Sequence, residues 1–325
     1  MKSCRLYLLV VSALLAMSAE GRTFRYDGIE YEVIDEASQT CRTKPGVPRR
    51  GEPGYGNFWS GTLVLPAHPL DGDKEFTLTE IGENGFKNNP DLKEVVLPST
   101  LTAIRASAFY RCEALGVLDM TDSGLIEIGE NAFWNCGIQT LAFPPTLARI
   151  GDGAFDSCYS LVSVTVPNSI ESIGSKAFGF CDRLTELKST GEYGESTGVI
   201  CDGAFGECHS LVMAIVPASV TEIGMWAFQG CRSMTNVIIP DGVTSIGERS
   251  FGWCEALRVL KLPSALQKIG PQAFRGCVSL GEIKVPSLVD EIGEYAFAEC
   301  SGLTSIGLPD TLTEFGEYAF SGCSS

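Results

Sequence analysis

The sequence predicts an α/β repeat solenoid, in which every repeat contributes a short strand and a short helical turn. The main observation is a 23-residue repeat, which is clearest in residues 280–302 and begins again at Leu303. A phenylalanine recurs in the same frame along the chain, and a cysteine follows most of these phenylalanines three residues later. One such unit buries too few apolar side chains to offset the entropy of ordering it, so the units are stable only when stacked.

The first half of each repeat predicts a strand. In the repeat 280–302, Ile283 and Val285 are two residues apart, so both side chains point to the same face of an extended strand. Pro286 follows directly and ends the strand, because proline has no N–H to donate to a neighbouring strand. Strands stacked in this way predict one continuous parallel sheet.

The second half of each repeat predicts one helical turn. Ala296, Phe297 and Cys300 have the three- and four-residue spacings that place side chains on one face of a helix. Glu294 lies where an acidic residue favours a helix N-terminus. Gly293 precedes it, and a glycine there indicates either a positive φ or a site with no room for a Cβ.

These two halves together resemble the BspA-like class of bacterial surface leucine-rich repeats. The L-x-x-I-x-L strand pattern is general to leucine-rich repeats, whereas the I-G-x-x-A-F-x-x-C half is more specific, and the resemblance covers roughly residues 62–325. It implies a right-handed arc with a parallel β-sheet on the concave face and short helical or 3-10 turns on the other side. It also implies a secreted or cell-surface protein that binds host matrix proteins or other cells.

The N-terminal residues 1–19 have the pattern of a secretory signal peptide. Lys2 and Arg5 precede an apolar run over 6–15 that is too short to span a bilayer, and small residues suited to cleavage lie around Ala19. We therefore expect an exported chain with no membrane insertion after the signal is removed. The alternative is a buried N-terminal strand or helix.

Residues 20–61 do not follow the repeat and predict a cap over the first rung, which an open solenoid needs. Residues 24–33 have the pattern of a β-hairpin with its turn at Asp27 and Gly28, and the Pro- and Gly-rich residues 41–57 predict a loop. Residues 62–325 form the solenoid. At its C-terminal edge the sequence leaves three alternatives: self-association, a cap improvised by the last residues, or a longer native protein.

The composition bears on the partner and on cofactors. The formal net charge of −16 argues against binding to nucleic acid or to anionic lipid, although it also serves the solubility of a long molecule. Ten of the 13 cysteines occupy one repeat position, which predicts a buried column of free thiols; disulfides between neighbouring rungs are the alternative. With no Cys-x-x-Cys pair and only two histidines, the sequence predicts no metal site and no cofactor.

The candidate binding site lies on the outward face of the predicted sheet. Most outward strand positions are polar or small, but a set on three consecutive strands is largely apolar: Met213, Ile215, Asn236, Ile238, Val259 and Lys261. This set follows an insertion at residues 188–201, which contains Tyr193 and lengthens the step from Phe178 to Phe205 to 27 residues. We predict a partner-binding surface made by this set and Tyr193. Ordinary β-propensity and a neutral insertion are the alternatives.

Three classes of function follow from these features. The first is a non-enzymatic, adhesin-like binding protein that recognises a host extracellular-matrix or surface protein, or another cell surface. The second is a structural surface protein that self-associates through its C-terminal edge. An extracellular hydrolase is a remote third class, because the chain has only His68 and His209 and contains no nucleophile elbow, zinc signature or P-loop.

Overall fold

A computed structural model describes residues 21–45, 59–190, 198–312 and 314–325. The signal peptide predicted over residues 1–19 lies outside these ranges, as does Tyr193. The described chain is a solenoid of stacked turns joined by parallel strands. Within the described ranges there is no helical stretch with the length and apolarity that a bilayer crossing requires.

The strands of the described residues are short and follow one another in chain order. They are β1 (Thr23–Tyr26), β2 (Ile29–Asp35), β3 (Thr40–Lys44), β4 (Gly61–Val64), β5 (Leu70–Asp71), β6 (Lys74–Glu75), β7 (Thr77–Ile81), β8 (Leu92–Val96), β9 (Ala103–Ile104), β10 (Val117–Asp119), β11 (Glu127–Ile128), β12 (Thr140–Ala142), β13 (Arg149–Ile150), β14 (Ser163–Pro167), β15 (Ser172–Ile173), β16 (Glu186–Thr190), β17 (Gly198–Ile200), β18 (Met213–Ile215), β19 (Val220–Ile223), β20 (Asn236–Ile238), β21 (Ser245–Ile246), β22 (Val259–Leu260), β23 (Lys268–Ile269), β24 (Glu282–Lys284), β25 (Glu291–Ile292), β26 (Ser305–Gly307) and β27 (Glu314–Phe315).

Each repeat contributes two strands, so the prediction of one continuous sheet is wrong. The predicted strands before the repeat proline form what we call the pre-proline sheet. A second sheet, the IG sheet, is made by strands such as β25 that end just before the repeat glycine, and its order is β1-β2-β3-β7-β9-β11-β13-β15-β17-β19-β21-β23-β25-β27. The segment between Pro286 and Gly293 is extended enough to pair with its neighbours, because Gly293 N–H donates to the Ile269 carbonyl of the preceding rung at 2.8 Å.

The pre-proline sheet is also interrupted. It consists of a three-stranded part, β4-β8-β10, and an eight-stranded part, β12-β14-β16-β18-β20-β22-β24-β26. In most repeats two residues separate the column cysteine from the next leucine position, as between Cys112 and Leu115, but only one separates Cys136 from Ile138. The break between β10 and β12 coincides with this one-residue deletion.

The predicted helical turns are absent from the described residues, where successive β-turns take their place. Tyr295 and Glu299 have φ values of 54° and 61°, which interrupt any helix. Phe297 N–H donates to the Ala319 carbonyl of the next rung at 2.8 Å, whereas Cys300 N–H closes a turn onto Phe297 at 3.3 Å. Alternate N–H groups thus point along the solenoid axis, while the predicted inward side chains remain buried.

The core is a continuous column of phenylalanine rings. From Phe86 to Phe320 each ring stacks on the next with centroid separations of 5.1–5.6 Å and interplanar angles of 14° or less. Centroid distances in this range are typical of offset stacking, which adds to the gain from burying the rings. The repeat phenylalanine therefore links each rung to the next through direct ring contact.

A column of cysteines lies beside the phenylalanines. Its ten members are free thiols, and each donates a hydrogen bond to the phenylalanine carbonyl of the preceding rung, as Cys254 does to Phe228 at 3.3 Å. Asn89 begins the column with a longer side chain. Its Nδ2 donates to the Phe86 carbonyl at 2.6 Å and its Oδ1 accepts from Trp59 N–H at 2.5 Å, which connects the cap to the first rung.

The cysteine column makes a testable prediction about thiol reactivity. Burial raises the pKa of both Cys158 and Cys300 to about 12, so neither carries much reactive thiolate at pH 8. Cys323, on the last rung, is only partly buried. We expect iodoacetamide to alkylate Cys323 at least about 10-fold faster than Cys158 in the native protein, with equal rates after denaturation. Mass-spectrometric mapping of labelled peptides is the measurement, and even labelling of the native column would contradict the prediction.

The N-terminal segment extends the IG sheet. The structure contains the hairpin that the sequence predicts, with β1 and β2 joined at Asp27 and Gly28. The loop predicted from residue 41 onward is wrong for residues 41–44, which belong to β3. This strand pairs antiparallel with β2 and parallel with β7, because Cys41 and Thr43 alternate inward and supply the buried side chains of a strand.

Ion pairs run along the exposed face of the IG sheet from the cap into the solenoid. Successive partners lie 2.5–3.9 Å apart, and the series is Glu32, Arg42, Glu80, Arg105, Glu127, Arg149 and Glu171. Arg105 occupies the position of the repeat glycine, and its hydrogen bond to Glu80 raises the pKa of the guanidinium. A cleft of about 440 Å³ beside these strands is lined by several of the same charged residues. Charges that pair with one another in a network contribute more than isolated surface pairs do.

Candidate functional site

Six of the seven predicted site residues lie on one face of the pre-proline sheet, whereas Tyr193 lies outside the described residues. These six residues are carried by the neighbouring strands β18, β20 and β22 or directly follow β22. The middle residues Ala214 and Val237 and the β22 residue Leu260 point into the core. The residues on either side of these positions therefore face solvent.

The register decides which of these side chains are neighbours. Ile215 lies opposite Ile238, so these two form a direct apolar pair across the strands. Met213 lies opposite Asn236, which in turn lies opposite Val259. The apolar side chains therefore surround a central amide and do not form an unbroken patch.

Exposure differs strongly within the set. Ile238 is 47% exposed and Val259 is 68% exposed, whereas Met213 and Ile215 are partly buried. A side chain as open as Val259 gains most from being covered by a partner. We call the set of Met213, Ile215, Asn236, Ile238 and Val259 the C-terminal patch.

Charged residues surround the C-terminal patch. On one side Glu186 lies opposite Met213, and its carboxylate is 2.8 Å from Lys188 Nζ. On the other side Glu282 lies opposite Val259. Lys261 follows β22, is highly exposed, and approaches Asp241 at 3.7 Å. A largely apolar surface bordered by charged residues is common among protein-binding surfaces, and here the apolar part also contains the amide of Asn236.

A second apolar patch, which the sequence analysis did not group, lies on the three-stranded part of the same sheet. Val64 of β4 is directly opposite Val96 of β8, and Val117 of β10 is opposite Glu94. These valines are 60%, 44% and 57% exposed. The alternation of inward and outward residues that identifies the C-terminal patch also identifies these three valines as outward. They are harder to group from the sequence, because Val64 lies at the predicted boundary between cap and solenoid. We call Val64, Val96 and Val117 the N-terminal patch.

Large aromatic side chains also lie on the turn side of the solenoid. Trp253 packs over Gly276, where any Cβ would overlap its ring. The Arg275 guanidinium lies 5.6 Å from the ring centroids of both Trp253 and Tyr295, and Tyr295 stacks on Tyr318 at 5.1 Å. The faces of these rings and of the guanidinium are covered by one another and are not free for a ligand. The arrangement therefore mainly stabilises the stacking of successive rungs.

The histidines are engaged with carboxylates on the surface. Nδ1 of His209 lies 2.8 Å from Asp182 Oδ1, and its Nε2 lies 3.2 Å from Glu207 Oε2. His68 approaches Glu75 at 3.7 Å. In the part of the chain that the structure describes, no group of three or more His, Cys, Asp or Glu residues is arranged to hold a metal ion.

The stacked strands, the alternating turns and the buried phenylalanine and cysteine columns define a leucine-rich repeat protein. The family model described as the BspA type leucine rich repeat region matches residues 79–195 and 198–325, with 6 copies in the chain. The chain therefore belongs to the BspA-type leucine-rich repeat family. This family is the one indicated by the I-G-x-x-A-F-x-x-C half of the repeat.

Solved structures share the fold. A leucine rich cell surface protein from Faecalibacterium prausnitzii A2-165 is 24% identical, with a TM-score of 0.58 and coverage of 95% of this chain and 94% of that one. The pneumococcal vaccine antigen PcpA is 20% identical, with a TM-score of 0.51 and coverage of 91% and 87%. A comparison with curated protein sequences finds no match to the chain.

Proposed function

We propose that the protein is a secreted or cell-surface, non-enzymatic binding protein of the adhesin type. It recognises a protein partner through the exposed face of the pre-proline sheet, which corresponds to the concave face expected from the family resemblance. The observation that carries the proposal is the C-terminal patch, where the Ile215 and Ile238 pair and the open Val259 lie within a charged rim. The expected partner is a host extracellular-matrix or surface protein, or a protein on another cell.

The location of the protein is inferred from its relatives and its N-terminus. One structural neighbour is described as a cell surface protein and another as a vaccine antigen, and both share the fold of this chain. The signal-peptide pattern of residues 1–19 agrees with export. A binding role at the cell surface fits both indications.

The physical basis of binding is the burial of exposed apolar area on a rigid sheet. Each square ångström of apolar surface removed from water contributes about 25 cal/mol. The strands that carry Met213, Ile238 and Val259 are held by ladders on both sides and by the core below. Little conformational entropy is therefore lost at this surface when a partner binds.

The double substitution Met213→Glu/Ile238→Glu tests the proposal. A partner that covers these positions would have to bury two unpaired carboxylates, so we expect its affinity to fall at least about 100-fold. The measurement is binding of the exported chain to immobilised host matrix glycoproteins. The matched control is Val278→Glu/Leu288→Glu, which adds the same charge at exposed apolar positions outside the strand face. Unchanged affinity in a folded Met213→Glu/Ile238→Glu protein would contradict the proposal.

Self-association is the second candidate function. On the last described rung Leu308 and Phe315 are exposed large apolar side chains, and Phe315 lies on β27. A second copy that covers them would extend the apolar core from one molecule to the next. Sedimentation analysis separates the candidates, because self-association makes the molecular mass rise with protein concentration, whereas the proposed binding protein keeps a constant mass.

A further inference from the structure

The N-terminal patch differs from the C-terminal patch in its charge. Two of the six outward positions that flank Leu63, Val95 and Leu118 are acidic, Glu94 and Asp119, and none of the six is basic. The one basic residue of these three strands is the exposed Lys93, which precedes Glu94 on β8. Thr62 Oγ1 donates to Glu94 Oε2 at 2.8 Å, which holds that carboxylate at the surface. The side chain and the backbone N–H of Thr121 donate to Asp119 and lower its pKa, so this carboxylate remains ionised well below neutral pH.

The acids and valines alternate across the three strands. Asp119 lies directly opposite Val96, and Glu94 directly opposite Val117. A bound chain that covers the valines therefore places its own neighbouring side chains against carboxylates. The C-terminal patch has no such bias, because Lys188, Lys261 and Lys284 lie along one of its sides.

The two patches are separated by a neutral part of the same face. The outward residues between them include Thr140, Ala142, Ser163 and Thr165, which are small and uncharged. Val96 on β8 and Ile215 on β18 are five strands apart, which corresponds to about 24 Å at the usual strand spacing of about 4.8 Å. One protein domain easily spans this distance, so a single partner can contact both patches.

We propose that the N-terminal patch is a second contact surface for the partner of the C-terminal patch, and that it takes a polypeptide segment with lysine or arginine next to apolar side chains. The inference rests on the proposed function for the identity of the partner. The complementarity itself rests on Val64, Val96, Glu94 and Asp119. The overall charge of −16 adds a long-range attraction for a basic partner.

The direct test uses two synthetic peptides, one that alternates leucine with lysine and one that alternates leucine with glutamate. We expect the lysine peptide to bind the full chain, and to lose about 10-fold in affinity in Val64→Ser/Val96→Ser and in Glu94→Gln/Asp119→Asn. The control Glu130→Gln/Glu294→Gln removes two exposed charges elsewhere and should leave the affinity within about 2-fold. Three results would overturn the proposal. The affinity for the lysine peptide could fall equally in Glu94→Gln/Asp119→Asn and in the control Glu130→Gln/Glu294→Gln, the glutamate peptide could bind as well as the lysine peptide, or the lysine peptide could fail to bind.

A second measurement separates this proposal from the proposed function. Met213→Glu/Ile238→Glu should lose the matrix glycoprotein but still bind the lysine peptide, because the N-terminal patch is intact. Val64→Ser/Val96→Ser should weaken both ligands by about 5-fold or more. If that variant loses only the peptide, the two patches do not share a partner. A different result would contradict only the proposed function. In that case Met213→Glu/Ile238→Glu still binds the glycoprotein, while Val64→Ser/Val96→Ser and Glu94→Gln/Asp119→Asn lose affinity for the lysine peptide, which supports the N-terminal patch as a binding surface.

Discussion

Replacing Gly293 with alanine is expected to lower the free energy of unfolding by about 3 kcal/mol. A Cβ on residue 293 would lie 2.5 Å from the Pro271 nitrogen and 2.6 Å from the Gly270 carbonyl carbon. Both are backbone atoms of the preceding rung, which cannot move away without lengthening the ladder hydrogen bond from Gly293 N–H to Ile269. Denaturant-induced unfolding measures the loss.

Gly242→Ala is the matched control for this prediction. An added Cβ at Gly242 has no heavy atom within 4 Å, and neither Gly242 nor Gly293 has a positive φ. We expect the control to change the free energy of unfolding by less than about 0.5 kcal/mol. Similar losses in the two variants would mean that glycine flexibility, and not the close approach of the rungs, explains the repeat glycine.

Replacing Phe228 with alanine is expected to cost about 3–5 kcal/mol, the range for removing a fully buried aromatic side chain. The ring of Phe228 has no exposed surface and stacks on Phe205 at 5.2 Å and on Phe251 at 5.3 Å. The loss therefore includes apolar burial, two stacking contacts and a cavity in the middle of the array. Denaturant unfolding measures it, and a second transition would indicate that the two halves of the solenoid have become uncoupled.

Phe320→Ala provides the comparison for this second prediction. Phe320 is partly buried and stacks on one ring of the column, Phe297, at 5.6 Å. We expect its replacement to cost less than half as much as that of Phe228, because fewer contacts and less buried area are lost. Equal costs at the two positions would show that the phenylalanine column contributes through local turn geometry and not through stacking between rungs.

Within a repeat, the spacing of apolar residues was sufficient to identify the inward side chains. Ile283, Val285, Ala296 and Phe297 are buried as the sequence predicts. The type of turn was not predictable in this way. Inward residues at spacings of three and four fit one helical turn and also fit two successive β-turns. The hydrogen bond from Phe297 N–H to the Ala319 carbonyl distinguishes β-turns from a helical turn, and it joins two separate rungs.

The candidate site shows the same division. Alternation along β20 places Asn236 and Ile238 on the outward face without reference to any other strand. That Asn236 separates Met213 from Val259 follows only from the register of three strands. The N-terminal patch likewise depends on the pairing of Val64 with Val96, two residues that are far apart in the chain.

The repeat length, the family, and the inward and outward positions of each strand were predictable from the sequence, because they depend on spacings within one 23-residue unit. The second sheet, the break after β10, the turns in place of helices, and the pairing of outward side chains became visible only in the folded chain. The physical reason is that backbone hydrogen bonds between rungs set the register and the turn conformation. These bonds join residues that no local pattern connects.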